Sequence, residues 1–331
     1  MTRPSILMTA PLAPPFIAAL EQRFAVHRLW EQDDPDAFLA TVGATIRSAT
    51  TSTLFGRFDA AILDRLPNLE IVASFGVGYD NIDVAAAVAH GVVATNTPGV
   101  LDDEVADLAV GLLLATLRRI PQADRFLRAG AWANGNFPLS PTLRGRRVGI
   151  LGLGNIGKAV ARRLEGFGVA IAYHGRSPQP DLPYDYHPSP IGLAKAVDTL
   201  IVIVPGGDGT RHLVDASVLA ALGADGVLIN VSRGSVVDET ALIGALESRT
   251  ILAAGLDVYE HEPAVPDALI ALPNTVLLPH IGSASEHTRH AMGQLVIDNI
   301  VAWFETGRPL TPIPETRHLL SSERSRPLPR P

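Results

Sequence analysis

Arg147-Val-Gly-Ile-Leu-Gly-Leu-Gly-Asn-Ile-Gly157 decides how the rest of the chain is read. Val148 to Leu151 form a short apolar run with the length of a buried strand. Gly152, Gly154 and Gly157 follow in the spacing G-x-G-x-x-G, and a helical stretch continues from Lys158 to Glu165. Strand, glycine turn and helix in this order are the context that gives the glycine pattern its meaning. Gly152 permits the tight turn, Gly154 lets a pyrophosphate approach the backbone, and Gly157 lets helix and strand pack closely. The helix N-terminus then faces the anion. The segment therefore reads as a dinucleotide-binding turn, with Asn155 and Ile156 inside it.

Composition narrows the setting. With 331 residues the chain is long enough for two domains, and 47% hydrophobic against 18% charged residues is an ordinary globular balance. The net charge, 27 − 34 = −7, argues against a general nucleic-acid binder, which needs a positive footprint. No cysteine is present, so disulfides, thiolate catalysis and cysteine–metal sites are excluded. The apolar stretch Leu108–Leu117 ends at two arginines and is too short to span a bilayer. The first ten residues are too weakly apolar for a signal peptide. These features predict a cytoplasmic protein with no membrane partner.

Outward from the glycine turn, short apolar runs alternate with helical patterns. The expected strands are Val148–Leu151, Val169–Tyr173, Thr199–Val204, Gly226–Val231, Ile251–Leu256 and Thr275–Leu278, enough for one dinucleotide-binding domain. Upstream, Ser5–Thr9, Leu69–Ser74 and Val92–Thr95 read as strands, with a crossover helix over Val84–His90. Long helices are expected over Asp103–Arg119 and Ser285–Glu305. The expected fold is α/β, with two Rossmann-like doubly wound parallel-sheet domains and a cleft between them. Residues 1–98 plus 287–317 would form a discontinuous substrate-binding domain and 99–286 the dinucleotide-binding domain. The proline-rich stretch 318–331 reads as a disordered tail.

The second strand of the cofactor domain bears on which dinucleotide binds. An NAD site places a carboxylate there for the ribose 2′-hydroxyl. Here the strand runs into His174-Gly-Arg-Ser177, and no acid occurs before Asp181. Without the carboxylate nothing repels a 2′-phosphate, and Arg176 and Ser177 offer a guanidinium and a hydroxyl. NADP(H) is therefore expected in preference to NAD(H). The alternative is a solvated Arg176 in a protein that uses either cofactor.

Three segments at the carboxyl ends of later strands carry reactive groups: Asn230-Val-Ser-Arg-Gly-Ser-Val-Val-Asp238, Leu256-Asp-Val-Tyr-Glu-His-Glu-Pro263 and Leu278-Pro-His-Ile-Gly-Ser-Ala284. Together with the glycine motif, Ser74-Phe-Gly-Val-Gly-Tyr-Asp-Asn-Ile-Asp83 and Thr95-Asn-Thr-Pro-Gly99, they make the chain resemble the D-2-hydroxyacid dehydrogenase family over roughly residues 45 to 312. Val100-Leu-Asp-Asp-Glu-Val-Ala-Asp107 and Leu113-Leu-Ala-Thr-Leu-Arg-Arg119 bring it nearest the NADPH-linked hydroxypyruvate/glyoxylate and hydroxyphenylpyruvate reductases.

The resemblance implies Arg233, Glu262 and His280 as the catalytic residues, with Arg233 and His280 also touching substrate. Reduction of a 2-keto acid adds hydride to the ketone carbon and a proton to its oxygen. An imidazole such as His280 can supply that proton, a carboxylate at Glu262 can orient it, and a guanidinium at Arg233 can clamp the substrate carboxylate. Glu260 is a rival carboxylate, and the family pattern selects the residue before the proline. Taken singly, Arg233 reads equally well as a surface ion-pair partner and His280 as a structural histidine. The resemblance further implies Val77 and Gly78 as amide donors to the substrate carboxylate, where the alternative is a simple strand-ending turn. It adds Pro205, Thr210, Val231 and Asp257 to the cofactor contacts. His287 and His290 stand three apart on an expected helix, but the implied chemistry needs no metal. The resemblance also implies a homodimer built on the Asp103–Arg119 helix and the arm carrying Trp132 and Phe137. Small 2-keto acids are the implied substrates. An aromatic keto acid and, more remotely, a non-catalytic dinucleotide sensor are the alternatives.

Overall fold

The computed structural model describes residues 3–53 and 56–320. Most of the expected tail lies beyond them, but its first residues, 318–320, close the 3₁₀ segment Pro314–Leu320. The described residues fall into two compact units, one from Met1–Leu101 and Glu286–Pro331, the other from Asp102–Ser285.

The first unit is built on a parallel sheet of five strands: β1 (Ser5–Met8), β2 (Ala25–Arg28), β3 (Ile46–Ser52), β4 (Ile71–Phe75) and β5 (Val93–Thr95). Their spatial order is β2-β1-β3-β4-β5, a doubly wound arrangement. Helices cover both faces. Phe16 and Leu20, from Pro14–Arg23, and Val296, Ile297 and Ile300, from Glu286–Thr306, bury Ile6, Met8 and Ala73. On the other face Leu7, Ala49, Val72 and Ala94 meet Leu39, Leu63 and Ala87. Strand β3 was not expected from the sequence. Its residues Ile-Arg-Ser-Ala-Thr-Thr-Ser carry no apolar run, yet six of the seven are buried between β1 and β4. β-branched and small hydroxyl side chains fit a pleated interior surface, so packing overrides composition here.

The second unit carries seven parallel strands: β6 (Arg147–Leu151), β7 (Ala170–His174), β8 (Asp185–Tyr186), β9 (Thr199–Val202), β10 (Val227–Asn230), β11 (Ala253–Leu256) and β12 (Thr275–Leu277). Read from one edge the order is β8-β7-β6-β9-β10-β11-β12, the winding of a dinucleotide-binding sheet with an added strand. The six expected strands are all present, shifted by one to two residues at their ends. The chain reverses its winding between β6 and β9, so the crevice beyond their carboxyl ends opens at the glycine turn. The helix expected over 103–119 is present as Asp102–Arg118 and ends where Arg119 turns left-handed (φ 54°); a second helix, Ile120–Arg128, not expected from the sequence, follows with Pro121 in its first turn. Among the described residues no helix is long and apolar enough to cross a membrane.

Candidate active site

The glycine turn has the geometry its sequence requires. Gly152 has φ 105°, and a Cβ there would lie 2.8 Å from Val204 and 2.9 Å from the Ile203 carbonyl oxygen. A Cβ on Gly157 would overlap the Gly152 carbonyl oxygen, so strand and helix approach as only glycine allows. Gly154 faces open space and caps the Asn155–Glu165 helix without any side-chain hydrogen bond. The first-turn amides at Asn155, Ile156 and Gly157 are thus left for an anion. Room beside Gly154 and uncapped amides fit the pyrophosphate of a dinucleotide.

At the end of β7, Arg176 and Ser177 are exposed, and the Arg176 guanidinium has no partner among the described residues. His174, next to them, is engaged structurally. Its Nδ1 donates to the His187 carbonyl (2.8 Å) and its ring stacks on Tyr186. The Pro205–Thr210 loop is closed by its own hydroxyl, Thr210 Oγ1 donating to the Pro205 carbonyl (2.7 Å). Val231 is buried at the end of β10, its amide donating to Val202.

The three reactive loops gather beyond the carboxyl ends of β10, β11 and β12. His280 Nδ1 lies 2.7 Å from Glu262 Oε2. A carboxylate only accepts, so Nδ1 carries the proton and Nε2 is the nitrogen left for chemistry. Glu262 Oε1 accepts the Tyr259 amide at 2.9 Å. Burial pushes the Glu262 carboxyl up, but the hydrogen bond and charge of His280, the Tyr259 amide and the charge of Arg233 outweigh it and hold it below the ordinary carboxylate range. Arg233 is thereby placed within electrostatic reach of Glu262, and its Nη1 donates to the Ser232 carbonyl (2.8 Å).

The rival carboxylate is committed elsewhere. Glu260 Oε1 accepts from Arg211 (2.7 Å) and from His212 Nε2 (2.9 Å), tying the catalytic loop to the loop after β9. Asp257 is 1% exposed. Its two oxygens accept the amides of Ile281 (2.7 Å) and Gly282 (2.8 Å). The residue that the resemblance implies as a cofactor contact therefore also pins the loop that carries His280. Burial raises its carboxyl above the usual range despite those amides.

Several positioning residues carried no signal of their own in the sequence. Buried Asn230 shapes the Arg233 loop, accepting from the Ser232 amide and hydroxyl and donating to the Arg233 carbonyl (3.1 Å). Tyr259 donates its hydroxyl to the Leu278 carbonyl at 2.9 Å. Gly234 lies so close that a Cβ would collide with the Tyr259 carbonyl carbon, which sets the Arg233 loop directly on the Glu262 loop. His280 itself has φ 54°, an uncommon conformation for a non-glycine residue and one that these contacts impose.

In the first unit, Val77 and Gly78 follow β4. The Val77 carbonyl accepts Asn96 Nδ2 at 2.7 Å, and Gly76 has φ 157°. His290 packs its ring against Phe16, with centroids 5.4 Å apart. Among the described residues no group of three histidines, cysteines or carboxylates is placed to hold a metal.

Comparison with known proteins agrees with this geometry. Residues 110–282 match the family model described as D-isomer specific 2-hydroxyacid dehydrogenase, NAD binding domain. The chain is 46% identical to the glyoxylate/hydroxypyruvate reductase A of Arabidopsis thaliana, over 93% of this chain and 98% of that one. It is also 46% identical to the hydroxyphenylpyruvate reductase of Plectranthus scutellarioides, with the same coverage. Among solved structures it is similar to an NADPH-dependent glyoxylate/hydroxypyruvate reductase from Sinorhizobium meliloti, in complex with NADP and malonate. That chain is 54% identical, with a TM-score of 0.91, covering 95% of this chain and 98% of that one.

Proposed function

The chain belongs to the D-isomer-specific 2-hydroxyacid dehydrogenase family, and on that premise we propose that it reduces small 2-keto acids, hydroxypyruvate and glyoxylate foremost, with NADPH. The observation that carries the proposal is the pairing of His280 with Glu262 at 2.7 Å beside Arg233, at the same edge of the sheet as the uncapped helix after Gly154.

When bound, the reduced nicotinamide supplies the hydride. The residues of this chain do the rest. The amides of Asn155, Ile156 and Gly157 would receive the pyrophosphate, Gly154 giving it room, while Gly152, whose own amide donates to the His174 carbonyl, makes the turn. Arg176 and Ser177 take the 2′-phosphate, and Pro205, Thr210 and Val231 border the cofactor. His280 Nε2 delivers the proton to the ketone oxygen as the carbon is reduced. Glu262 fixes the ring through Nδ1 and stabilises the protonated ring before transfer. Asp257 keeps the His280 loop in place. Arg233 grips the substrate carboxylate and polarises the ketone. Val77 and Gly78 enter the proposal only through the family resemblance, as further carboxylate donors.

An aromatic keto acid remains the second reading, supported by the hydroxyphenylpyruvate reductase relative. We also propose a homodimer. On the helix Ile120–Arg128 and the segment after it, Ile120, Leu127 and Trp132 are 53%, 56% and 64% exposed, an apolar face that a second copy would cover.

The test is a set of initial rates with NADPH and NADH, each against hydroxypyruvate, glyoxylate, pyruvate and 4-hydroxyphenylpyruvate. The expected result is fastest NADPH oxidation with hydroxypyruvate or glyoxylate. Higher kcat/KM with 4-hydroxyphenylpyruvate would install the aromatic reading instead. Dinucleotide binding without turnover of any of the four would overturn the substrate assignment.

A further inference from the structure

At the edge of the seven-stranded sheet opposite the catalytic loops lies a cavity of about 230 Å³. Ligands of doubly wound sheets sit beyond the carboxyl ends of the strands, whereas this cavity is framed by the amino ends of β10, β11 and β12, so it is not part of the dinucleotide site. Leu117, Val227 and Val276 supply apolar wall, and Arg119, Gln122 and Arg249 supply the polar groups.

Two independent features meet there. First, neither the Arg119 nor the Arg249 guanidinium has a carboxylate partner among the described residues, although acids outnumber bases in this chain by seven. Arg119 lies over the Phe137 ring, 5.1 Å from its centroid, which holds the group in place without neutralising it. Second, Gln122 donates Nε2 to the carbonyls of Pro273 (3.2 Å) and Thr275 (2.9 Å), which fixes its amide orientation. Its Oε1 is then buried without a partner, a costly state for an acceptor unless something donates to it. Both arginines stand just past a helix C-terminus, Arg119 after Asp102–Arg118 and Arg249 after Glu239–Glu247, and their left-handed backbone (φ 54° and 56°) is a usual way for a helix to end.

We propose that this cavity binds a small organic anion, a molecule with one carboxylate, phosphate or sulfonate, an apolar body, and one N–H or O–H donor. The two guanidinium groups receive the anion, the aliphatic wall excludes water from the body, and Gln122 Oε1 accepts the donor.

The probe is 8-anilinonaphthalene-1-sulfonate, which carries all three features, titrated by fluorescence into the full chain saturated with NADPH so that the dinucleotide site is closed to it. N-phenyl-1-naphthylamine, the same body without the sulfonate, is the uncharged control. The expected result is one equivalent of sulfonate bound. Its Kd should rise about tenfold or more in the Arg119→Gln/Arg249→Gln variant, the size of a lost charge-assisted hydrogen bond, with the control, the NADPH affinity and the molecular mass unchanged. Arg249 is exposed, so Arg249→Gln alone keeps the fold and should still weaken the sulfonate selectively. Four results would overturn the proposal: no binding with NADPH present, equal affinity in the variants, parallel loss of the uncharged control, or a change in mass that makes the arginines a contact between subunits.

Discussion

His280 and Glu262 make the sharpest predictions at the scale of single residues. His280→Ala removes the proposed proton donor while leaving the glycine turn untouched, so NADPH binding should persist and kcat should fall by about 10²–10⁴-fold. Wild-type kcat in that variant would reassign the acid. Glu262 links the site to pH. Its folded pKa lies below the ordinary value of 4.5, so the ionised carboxylate stabilises the fold. That contribution is complete above the unfolded value and disappears as pH falls through the folded one. Glu262→Gln should therefore melt below the wild type at neutral pH, with the gap in Tm closing as pH drops below 4.5. A gap that stays constant would show that ionisation is not the source. At the cofactor end, Arg176→Ala should cut the NADPH over NADH preference in kcat/KM by about tenfold, as expected for one charge-assisted phosphate contact.

Loops and strand ends decide how those residues meet. The Arg233 loop rests on the Glu262 loop because Gly234 has no Cβ to hold them apart. Gly234→Ala must push the two backbones apart, so kcat should fall steeply while NADPH affinity, set at the other end of the crevice, changes little. A variant with normal kcat would mean that the loops tolerate separation. The Glu260 clasp with Arg211 and His212 acts at the same scale, joining the loop after β9 to the loop after β11. It also explains how two carboxylates two residues apart have different partners. One faces the imidazole of the site, and the other is held by basic side chains of a neighbouring loop.

For the molecule as a whole, the exposed apolar face of the Ile120–Arg128 helix and its following segment sets the assembly expectation. Light scattering should give about twice the chain mass of 35.1 kDa, and Leu127→Glu with Trp132→Glu should shift the mass toward the monomer. A monomeric wild type at micromolar concentration would refute the dimer.

The sequence by itself determined the α/β class and the dinucleotide turn, and its family resemblance supplied the candidate reactive side chains. Gly152 and Gly157 could be read because their roles are local: a turn and a close helix–strand approach need glycine whatever surrounds them. Strands β6, β7 and β9 to β12 could be read because fully buried parallel strands are continuous apolar runs. Strand β3 could not, since its burial comes from β1 and β4 on either side rather than from its own residues. The family resemblance named Glu262 as the partner of His280, 18 residues away; tertiary structure alone decided the diversion of Glu260 to residues 48 and 49 positions away and the use of Asp257 to hold the amides of Ile281 and Gly282. A hydrogen bond depends on distance and direction in space. Those are set by strand order and loop packing, which leave no periodic trace along the chain.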